Sequence, residues 1–337
     1  MKVNRDELLN ILLLLKPGLS DKAIIEELTH FIFTGNDIIT YNDRITISHL
    51  FNCDFKFTII ADEFIKILNK IETKQFEMFL KDSNLIIKAK GLKAKLVTGS
   101  VDSVKDHILS IDFDKKRKWN KLPKDFIDAV RLSIFSASKD ASKPFSTCLN
   151  IYDNKIISTD GIRIGVYEMK DKMKAKILLP AVSASSLINF NVIEYCIEVG
   201  WIYFATKDNI IFCSRILNEK YPDMLDFFNF KGKIIELPES IIDSISTVEI
   251  LAEGDFDTDK KIEIKIEDGK LFCKGSKEIG EIETECDIDS KSKIEFMINP
   301  IFFKEILART NKIKVGEGKA LFEIKNFKHL ISINFDE

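Results

Sequence analysis

Cysteine and histidine are the residue types in this sequence that could most readily perform chemistry. A cysteine beside a histidine can act as a nucleophile, with the histidine as the base that activates it. The sequence has six cysteines and four histidines: Cys53, Cys148, Cys196, Cys213, Cys273, Cys286, His30, His49, His107 and His329. It has no CxxC, glycine-rich phosphate loop, HExxH, GxSxG or paired-carboxylate motif. An enzyme with a Cys/His pair is therefore an alternative that no motif supports, and we expect no metal and no cofactor.

The composition is typical of a globular protein with a substantial apolar core. Of the 337 residues, 45% are hydrophobic and 31% are charged, which favours two or three domains and argues against a membrane protein. The acidic Asp6 and Glu7 are unlike the start of a secretory signal, so we expect a cytoplasmic protein without disulfides. The net charge is −3, so any DNA contact must come from local clusters among the 50 lysines and arginines.

The stretch Ser158–Met169 has the pattern of a β-hairpin. Asp160-Gly161 is a dipeptide that accepts the positive φ of a tight two-residue turn. Beyond the turn, Ile164 and Val166 alternate with less apolar residues, which predicts a strand with one apolar face. Such hairpins are common, so the stretch alone says little about function.

A repeat gives the chain its organisation. Six amphipathic helices are predicted at intervals of 57 to 62 residues, with short alternating strands between them. They begin near Asn4, Ala61, Pro123, Pro180, Pro238 and Asn299. Pro123, Pro180 and Pro238 are expected at the first helical position, where a missing N–H costs nothing. Asn299 is expected to cap the last helix.

Two longer polar connectors, at about residues 99–122 and 218–235, divide the six repeats into three pairs. The sequence therefore predicts three similar domains, at 1–118, 119–232 and 233–337, each made of two helix-plus-antiparallel-strands units. Strands covered on one face by helices make an α+β fold. The basic run Lys115–Lys118 in the first connector is typical of a solvated linker.

In its short motifs and its repeat, the chain resembles the beta subunit of bacterial DNA polymerase III, the DNA sliding clamp. Thr159–Ile164 resembles the family's Thr-Asp-Gly-His-Arg-Leu motif, and Ser214–Asp223 resembles its Leu-x-x-Gly-x-[Phe/Tyr]-Pro-Asp segment. The six-fold repeat extends the resemblance over the whole length, with Leu178–Pro180 and Phe296–Asn299 resembling two of the family's helix entries. A composition rich in Ile, Lys, Phe and Asn suits a divergent member from a phage or another AT-rich genome.

The resemblance implies a DNA-clamp fold and a non-catalytic function. Two copies would close head to tail into a homodimeric ring around double-stranded DNA, without sequence preference, and would tether the DNA polymerase. The clamp loader would be a further partner, and no membrane is implied. A clamp-shaped peptide-binding scaffold that does not load on DNA is the alternative, since the helix near Pro238 carries Glu239 and Asp243 where basic residues would be expected.

The resemblance also implies a groove that binds short apolar peptides of partner proteins. Carried over residue by residue, the groove would be lined by Leu149, Thr159, Gly161, Ile162, Arg163, Ile164, Phe227, Phe228, Ile331 and Ile333. Ile162 replaces the histidine of the family motif, so we expect a groove tuned to different peptides. The expected DNA-facing residues are Lys22, Lys66, Lys70, Arg131, Lys143 and Lys304.

Overall fold

The structure of the chain is a computed structural model, and it describes residues 1–20, 26–102, 104 and 116–334. In this part of the chain the α-helices are α1 (Arg5–Leu15), α2 (Ala61–Asn69), α3 (Phe126–Ser133), α4 (Ala181–Leu187), α5 (Ile241–Val248) and α6 (Pro300–Leu307). The strands are β1 (Lys2–Asn4), β2 (His30–Phe33), β3 (Asp37–Tyr41), β4 (Ile45–Leu50), β5 (Phe57–Ile60), β6 (Gln75–Lys81), β7 (Asn84–Ala89), β8 (Leu92–Val97), β9 (Asn120–Lys121), β10 (Cys148–Thr159), β11 (Arg163–Pro180), β12 (Val192–Glu198), β13 (Trp201–Thr206), β14 (Ile210–Arg215), β15 (Lys233–Glu236), β16 (Ile262–Glu267), β17 (Lys270–Lys277), β18 (Gly280–Asp287), β19 (Ile294–Ile298), β20 (Lys312–Gly316), β21 (Lys319–Ile324) and β22 (Phe327–Ser332). The predicted α+β class is confirmed.

The six described helices lie where the repeat predicts them, each starting within three residues of the expected position. Asn299 caps α6 as predicted, because its side-chain oxygen accepts the N–H groups of Ile301 (3.0 Å) and Phe302 (3.1 Å). Pro300 is the first residue of that helix.

The prediction for the other three prolines was wrong. Pro123 and Pro238 precede α3 and α5 by three residues, and their carbonyls accept the N–H groups of Phe126 and Ile241, each at 3.1 Å. Pro180 is the last residue of β11. A residue without an N–H fits a turn or the end of a strand as well as the first turn of a helix. A proline therefore indicates where a helix starts only to within a few residues.

Among the described residues, antiparallel sheets dominate two compact units. The first unit comprises Met1–Ile127 and Val182–Asn218, and the second comprises Asp128–Ala181 and Glu219–Glu337. The first contains an eight-stranded sheet, β5-β2-β3-β4-β14-β13-β12-β9, and a four-stranded sheet, β1-β6-β7-β8. The second contains a six-stranded sheet, β10-β11-β22-β21-β20-β15, and a four-stranded sheet, β18-β17-β16-β19. Both larger sheets join strands from different predicted domains, so the three-domain division stays a prediction.

The packing of α2 illustrates how a helix covers a sheet in the first unit. Phe64 and Leu68 are fully buried, and the Phe64 ring lies edge-on to Phe33 of β2 at 6.2 Å. Phe33 in turn stacks on Phe57 of β5 at 4.4 Å. Burial of this apolar stripe stabilises the helix, because nine residues alone would be marginal in water.

The predicted hairpin is present in the second unit, but its turn is longer than two residues. Thr159 of β10 pairs with Ile164 of β11, and within the loop only Gly161 has a positive φ, of 93°. The Asp160 carboxylate accepts the N–H groups of Ile162 (2.9 Å) and Arg163 (2.7 Å). These bonds satisfy two backbone N–H groups of the longer loop, which forms in place of the predicted two-residue turn.

His329 of β22 lies in the core on one side of the six-stranded sheet. It is fully buried, its Nδ1 is 3.2 Å from the Ser136 hydroxyl, and the Phe135 ring lies 4.7 Å away. Burial, with a smaller effect of the Arg163 guanidinium, lowers the pKa of His329 to about 3. The folded chain therefore holds this histidine neutral.

We expect this histidine to make stability fall in mild acid. Below its ordinary pKa of about 6.5 the unfolded chain takes up a proton that the folded chain refuses down to about 3. The free energy of unfolding should fall by about 1.4 kcal/mol per pH unit through that window. His329→Leu should remove this slope in denaturant titrations from pH 6.5 to 4, and an unchanged slope would contradict the assignment.

Candidate functional site

The six-stranded sheet of the second unit has two faces with different surroundings. Ile164, Leu330, Leu321 and Lys314 lie directly opposite one another on β11, β22, β21 and β20, and therefore share one face. Arg163 lies opposite Ile331 in the neighbouring row. Because side chains alternate along a strand, this second pair points to the other face.

The first face carries an apolar patch. Its buried members are Ile157, Ile164, Val166, Phe230, Leu321 and Leu330. Half-buried side chains pack against them: Tyr152, Tyr221, Met224, Leu225 and Phe228. Apart from Tyr152, these half-buried residues come from the polar connector between β14 and β15. We call these eleven residues the apolar patch.

The second face packs against α6, and we call it the helix face. The Arg163 guanidinium lies 3.6 Å from the centre of the Phe302 ring. Its Nε donates to Asp160 (2.9 Å) and its Nη1 donates to Glu305 (2.6 Å). With its side chain only 8% exposed, Arg163 joins the hairpin loop to the helix.

The predicted groove residues divide between these faces. Ile164 and Phe228 belong to the apolar patch. Thr159 lies beside Ile164, where its hydroxyl donates to the Arg163 carbonyl (2.6 Å). Gly161 and Ile162 form the hairpin tip, and Phe227 is 47% exposed next to Phe228.

Four predicted groove residues lie on the helix face. Arg163 and Ile331 occupy one row, and Ile333, two residues farther, is also buried. Leu149 is fully buried and lies three residues before Tyr152, an odd number, so it points away from the apolar patch. The peptide-binding role of these residues stays a prediction.

Nine members of the patch were not among the predicted groove residues: the buried Ile157, Val166, Phe230, Leu321 and Leu330, and the half-buried Tyr152, Tyr221, Met224 and Leu225. Val166 could have been predicted from the sequence, because it lies two residues after Ile164 and therefore on the same face of the strand. No local sequence pattern indicates the register of β22 against β11. A register shifted by one residue would place Ile331 on the patch face instead of Leu330.

The expected DNA-facing residues differ in their acidic neighbours. Three of them form ion pairs: Lys66 with Glu63 (3.8 Å), Arg131 with Asp128 (2.9 Å) and Lys304 with Glu249. Lys70 and Lys143 are exposed and form no ion pair within the described ranges. Lys22 lies outside the described residues. The DNA-facing role stays a prediction for all six.

Four of the cysteines, Cys53, Cys148, Cys213 and Cys273, are poorly suited to nucleophilic catalysis, because burial raises the pKa of their thiols. All six are free thiols, and burial raises the pKa of Cys148 to about 11 and that of Cys273 to about 12. A thiolate is the reactive form, so a raised pKa suppresses reactivity. Within the described part of the chain, no group of three His, Cys, Asp or Glu side chains could hold a metal ion. His107 lies outside that part.

A cleft of about 1280 Å³ lies in the first unit, away from every predicted groove residue. Exposed Leu13, Ile60 and Val182 line it together with Asp62 and Glu63. Its volume alone does not make it a better binding site than the patch.

No helix among the described residues is long and apolar enough to cross a membrane.

The fold is that of DNA polymerase III beta subunits. The chain is similar to the beta chain of Streptococcus pneumoniae, with a TM-score of 0.86, 16% identity and 99% of each chain covered. It is also similar to the DNA polymerase sliding clamp of Bacillus subtilis, with a TM-score of 0.82, 16% identity, and 100% of this chain and 99% of that chain covered.

The beta subunit of Thermotoga maritima gives the same values, a TM-score of 0.82 and 16% identity, over 100% of this chain and 99% of that chain. No protein-family model matches the chain. No curated protein matches it in sequence. The predicted clamp fold is confirmed by these structures.

We expect Arg163 to stabilise the second unit, whatever the patch binds. Arg163→Met keeps the apolar stem but leaves Asp160 and Glu305 without their cation, which should lower the free energy of unfolding by about 2–3 kcal/mol. The control Lys328→Met removes an exposed pair with Glu323 (3.5 Å) and should cost less than about 1 kcal/mol. Equal losses in denaturant titrations would contradict a structural role for Arg163.

Proposed function

We propose that this chain is a DNA sliding clamp, a non-catalytic processivity factor of a DNA polymerase. The observation that carries the proposal is the similarity to beta subunits and clamps over 99–100% of the chain. Two copies would form a ring around duplex DNA in the cytoplasm. The polymerase and the clamp loader would bind through short peptide segments.

A ring of two chains needs two different surfaces that fit each other, because its interface is head to tail. Strand β8 of the first unit offers one of them. It is the end strand of its sheet among the described residues, and Lys93 and Lys95 on one face are exposed. On the other face Leu92, Ala94 and Leu96 are only half-buried.

Strand β18 of the second unit has the opposite charge. It is also an end strand among the described residues, and its exposed face carries Glu281, Glu283, Glu285 and Asp287. Lys270 and Lys274 of β17 pair with three of these acids, which leaves Glu283 without an ion pair in the described chain.

Pairing of β8 in one copy with β18 in the next would satisfy both open edges. An end strand presents unpaired N–H and C=O groups, which another strand can bind. Opposite charges would meet on one face, and the half-buried apolar residues of both strands would be covered on the other. The same pairing at the second contact closes the ring.

Charge reversal should open the ring, and a second reversal should close it again. Lys93→Glu with Lys95→Glu should convert the dimer to monomers in sedimentation velocity at micromolar concentration. Adding Glu281→Lys and Glu283→Lys should restore the dimer. Lys312→Glu with Lys328→Glu, on inner strands of another sheet, is the matched control and should stay dimeric. A wild-type monomer would contradict the proposed ring.

For peptide binding, we propose the apolar patch in place of the helix-face residues. Ile164, Leu321 and Leu330 form a continuous apolar row, and the half-buried Phe228 lies at its margin. An apolar surface of this kind suits short peptides that insert one or two apolar side chains. Ile331 and Ile333 would support this surface from behind.

A second candidate function is a peptide-binding scaffold that does not load on DNA. The exposed surfaces of the helices favour this scaffold, because they carry acidic residues among the lysines and arginines. These acidic residues are Asp6, Glu7, Asp62, Glu63 and Asp243. A duplex backbone attracts lysine and arginine and repels carboxylates. The ring remains the first candidate because the solved structures that the chain resembles over its length are DNA polymerase III beta subunits and sliding clamps.

Topological retention separates the two candidates. Loaded on a nicked circular plasmid with a clamp loader, a ring should stay bound through gel filtration and should be released after the plasmid is linearised. The scaffold would be absent from both DNA fractions, and an ordinary DNA binder would be equally retained on both. Either of those outcomes would contradict the proposed clamp.

A further inference from the structure

We propose that the apolar patch selects peptides with an acidic residue next to their apolar anchors, and that Lys314 and Lys319 bind this carboxylate. This inference rests on the proposed peptide-binding function of the same patch. It adds the chemical class of the partner, which is an apolar segment flanked at one end by Asp or Glu.

Both lysines converge on one aromatic ring at the edge of the patch. Lys314 shares the cross-strand row of Leu321, Leu330 and Ile164. Its ammonium group lies 4.5 Å from the centre of the Phe230 ring. The ammonium group of Lys319 lies 5.4 Å from the same ring. Two cations therefore lie beside one buried member of the patch.

The same lysines also border the exposed aromatic side chain nearby. Lys319 lies 5.8 Å from the centre of the Phe227 ring, and Phe227 is 47% exposed. Lys314 donates to the Phe230 carbonyl at 2.6 Å. Because an ammonium group has three donors, Lys314 keeps two for another acceptor.

Lys314 and Lys319 differ from two neighbouring lysines on this face of the sheet. Lys312 pairs with Glu236 (3.7 Å) and Lys328 pairs with Glu323 (3.5 Å). Lys314 and Lys319 form no ion pair with any residue in the described ranges. The nearest hairpin acid, Glu317, accepts the backbone N–H of Lys231 at 3.1 Å.

A docked peptide would remove water from both ammonium groups. Lys314 and Lys319 are already half-buried, and cation–π contacts with Phe230 offset only part of the loss of hydration. A carboxylate on the peptide would compensate the two charges, whereas a neutral or basic peptide would leave them unpaired. The patch therefore discriminates by charge as well as by apolar fit.

A peptide selection tests the inference on the full chain. A phage library of random dodecapeptides would be selected on the wild type and on the double variant Lys314→Met with Lys319→Met. Wild-type binders should combine apolar residues with Asp or Glu at one end, and the acidic preference should vanish on the variant. Lys312→Met with Lys328→Met is the control of equal charge change, and it should keep the preference.

The affinity of the strongest selected peptide then gives the size of the effect. Its Asp→Asn or Glu→Gln analogue should bind the wild type at least about tenfold more weakly in fluorescence anisotropy, since a charged hydrogen bond is lost. Both peptides should bind the double variant equally. High salt should weaken wild-type binding of the acidic peptide only.

The outcomes separate this inference from the proposed function. Apolar binders that require Ile164 (lost on Ile164→Asp) but show no acidic preference would overturn the inference and leave the groove in place. Binders that are indifferent to Ile164→Asp, or no binders, would overturn the groove and the inference together. An equal loss of acidic preference in the control variant would also overturn the roles given to Lys314 and Lys319.

Discussion

The register between β11 and β22 determines which side chains lie on each face of the six-stranded sheet. Ile164 opposite Leu330 places two apolar residues in the patch, and Arg163 opposite Ile331 places the next pair against α6. A shift by one residue would exchange the side chains of the two faces, so that Arg163 would face the patch and Ile164 would face α6. The bonds of Arg163 to Asp160 and Glu305 hold this register, because they need the guanidinium on the helix face.

Much of the fold follows from local sequence patterns. Six helices with an apolar stripe, separated by alternating strands at a constant interval, define the α+β repeat without knowledge of any long-range contact. The cap at Asn299 was predictable from the residue type alone, because an Asn side chain before a helix accepts the free N–H groups of its first turn, as it does here for two of them. The prolines are less exact markers, because a residue without an N–H fits a turn, a strand end or a helix start.

The apolar patch was less predictable because it depends on pairing between distant strands. Phe230, Leu321 and Leu330 are far from Ile164 in sequence and reach it only through the order β11-β22-β21. The buried Arg163 was a further difficulty: a charged residue in an alternating strand indicates a solvated face, yet here both faces are covered. The Asp160 carboxylate and the Phe302 ring stabilise the buried guanidinium and so compensate its loss of hydration.

Charge placement connects the fold to its proposed function. In the part of the chain that the structure describes, lysines without ion pairs occur at β8 and beside Phe230, and in both places we propose an acidic counterpart from another chain. The most direct measurement of the central claim is single-particle electron microscopy of the full-length chain. The account predicts closed rings of two copies, with β8 of one copy beside β18 of the other. Monomers, or dimers joined through any other surface, would contradict it.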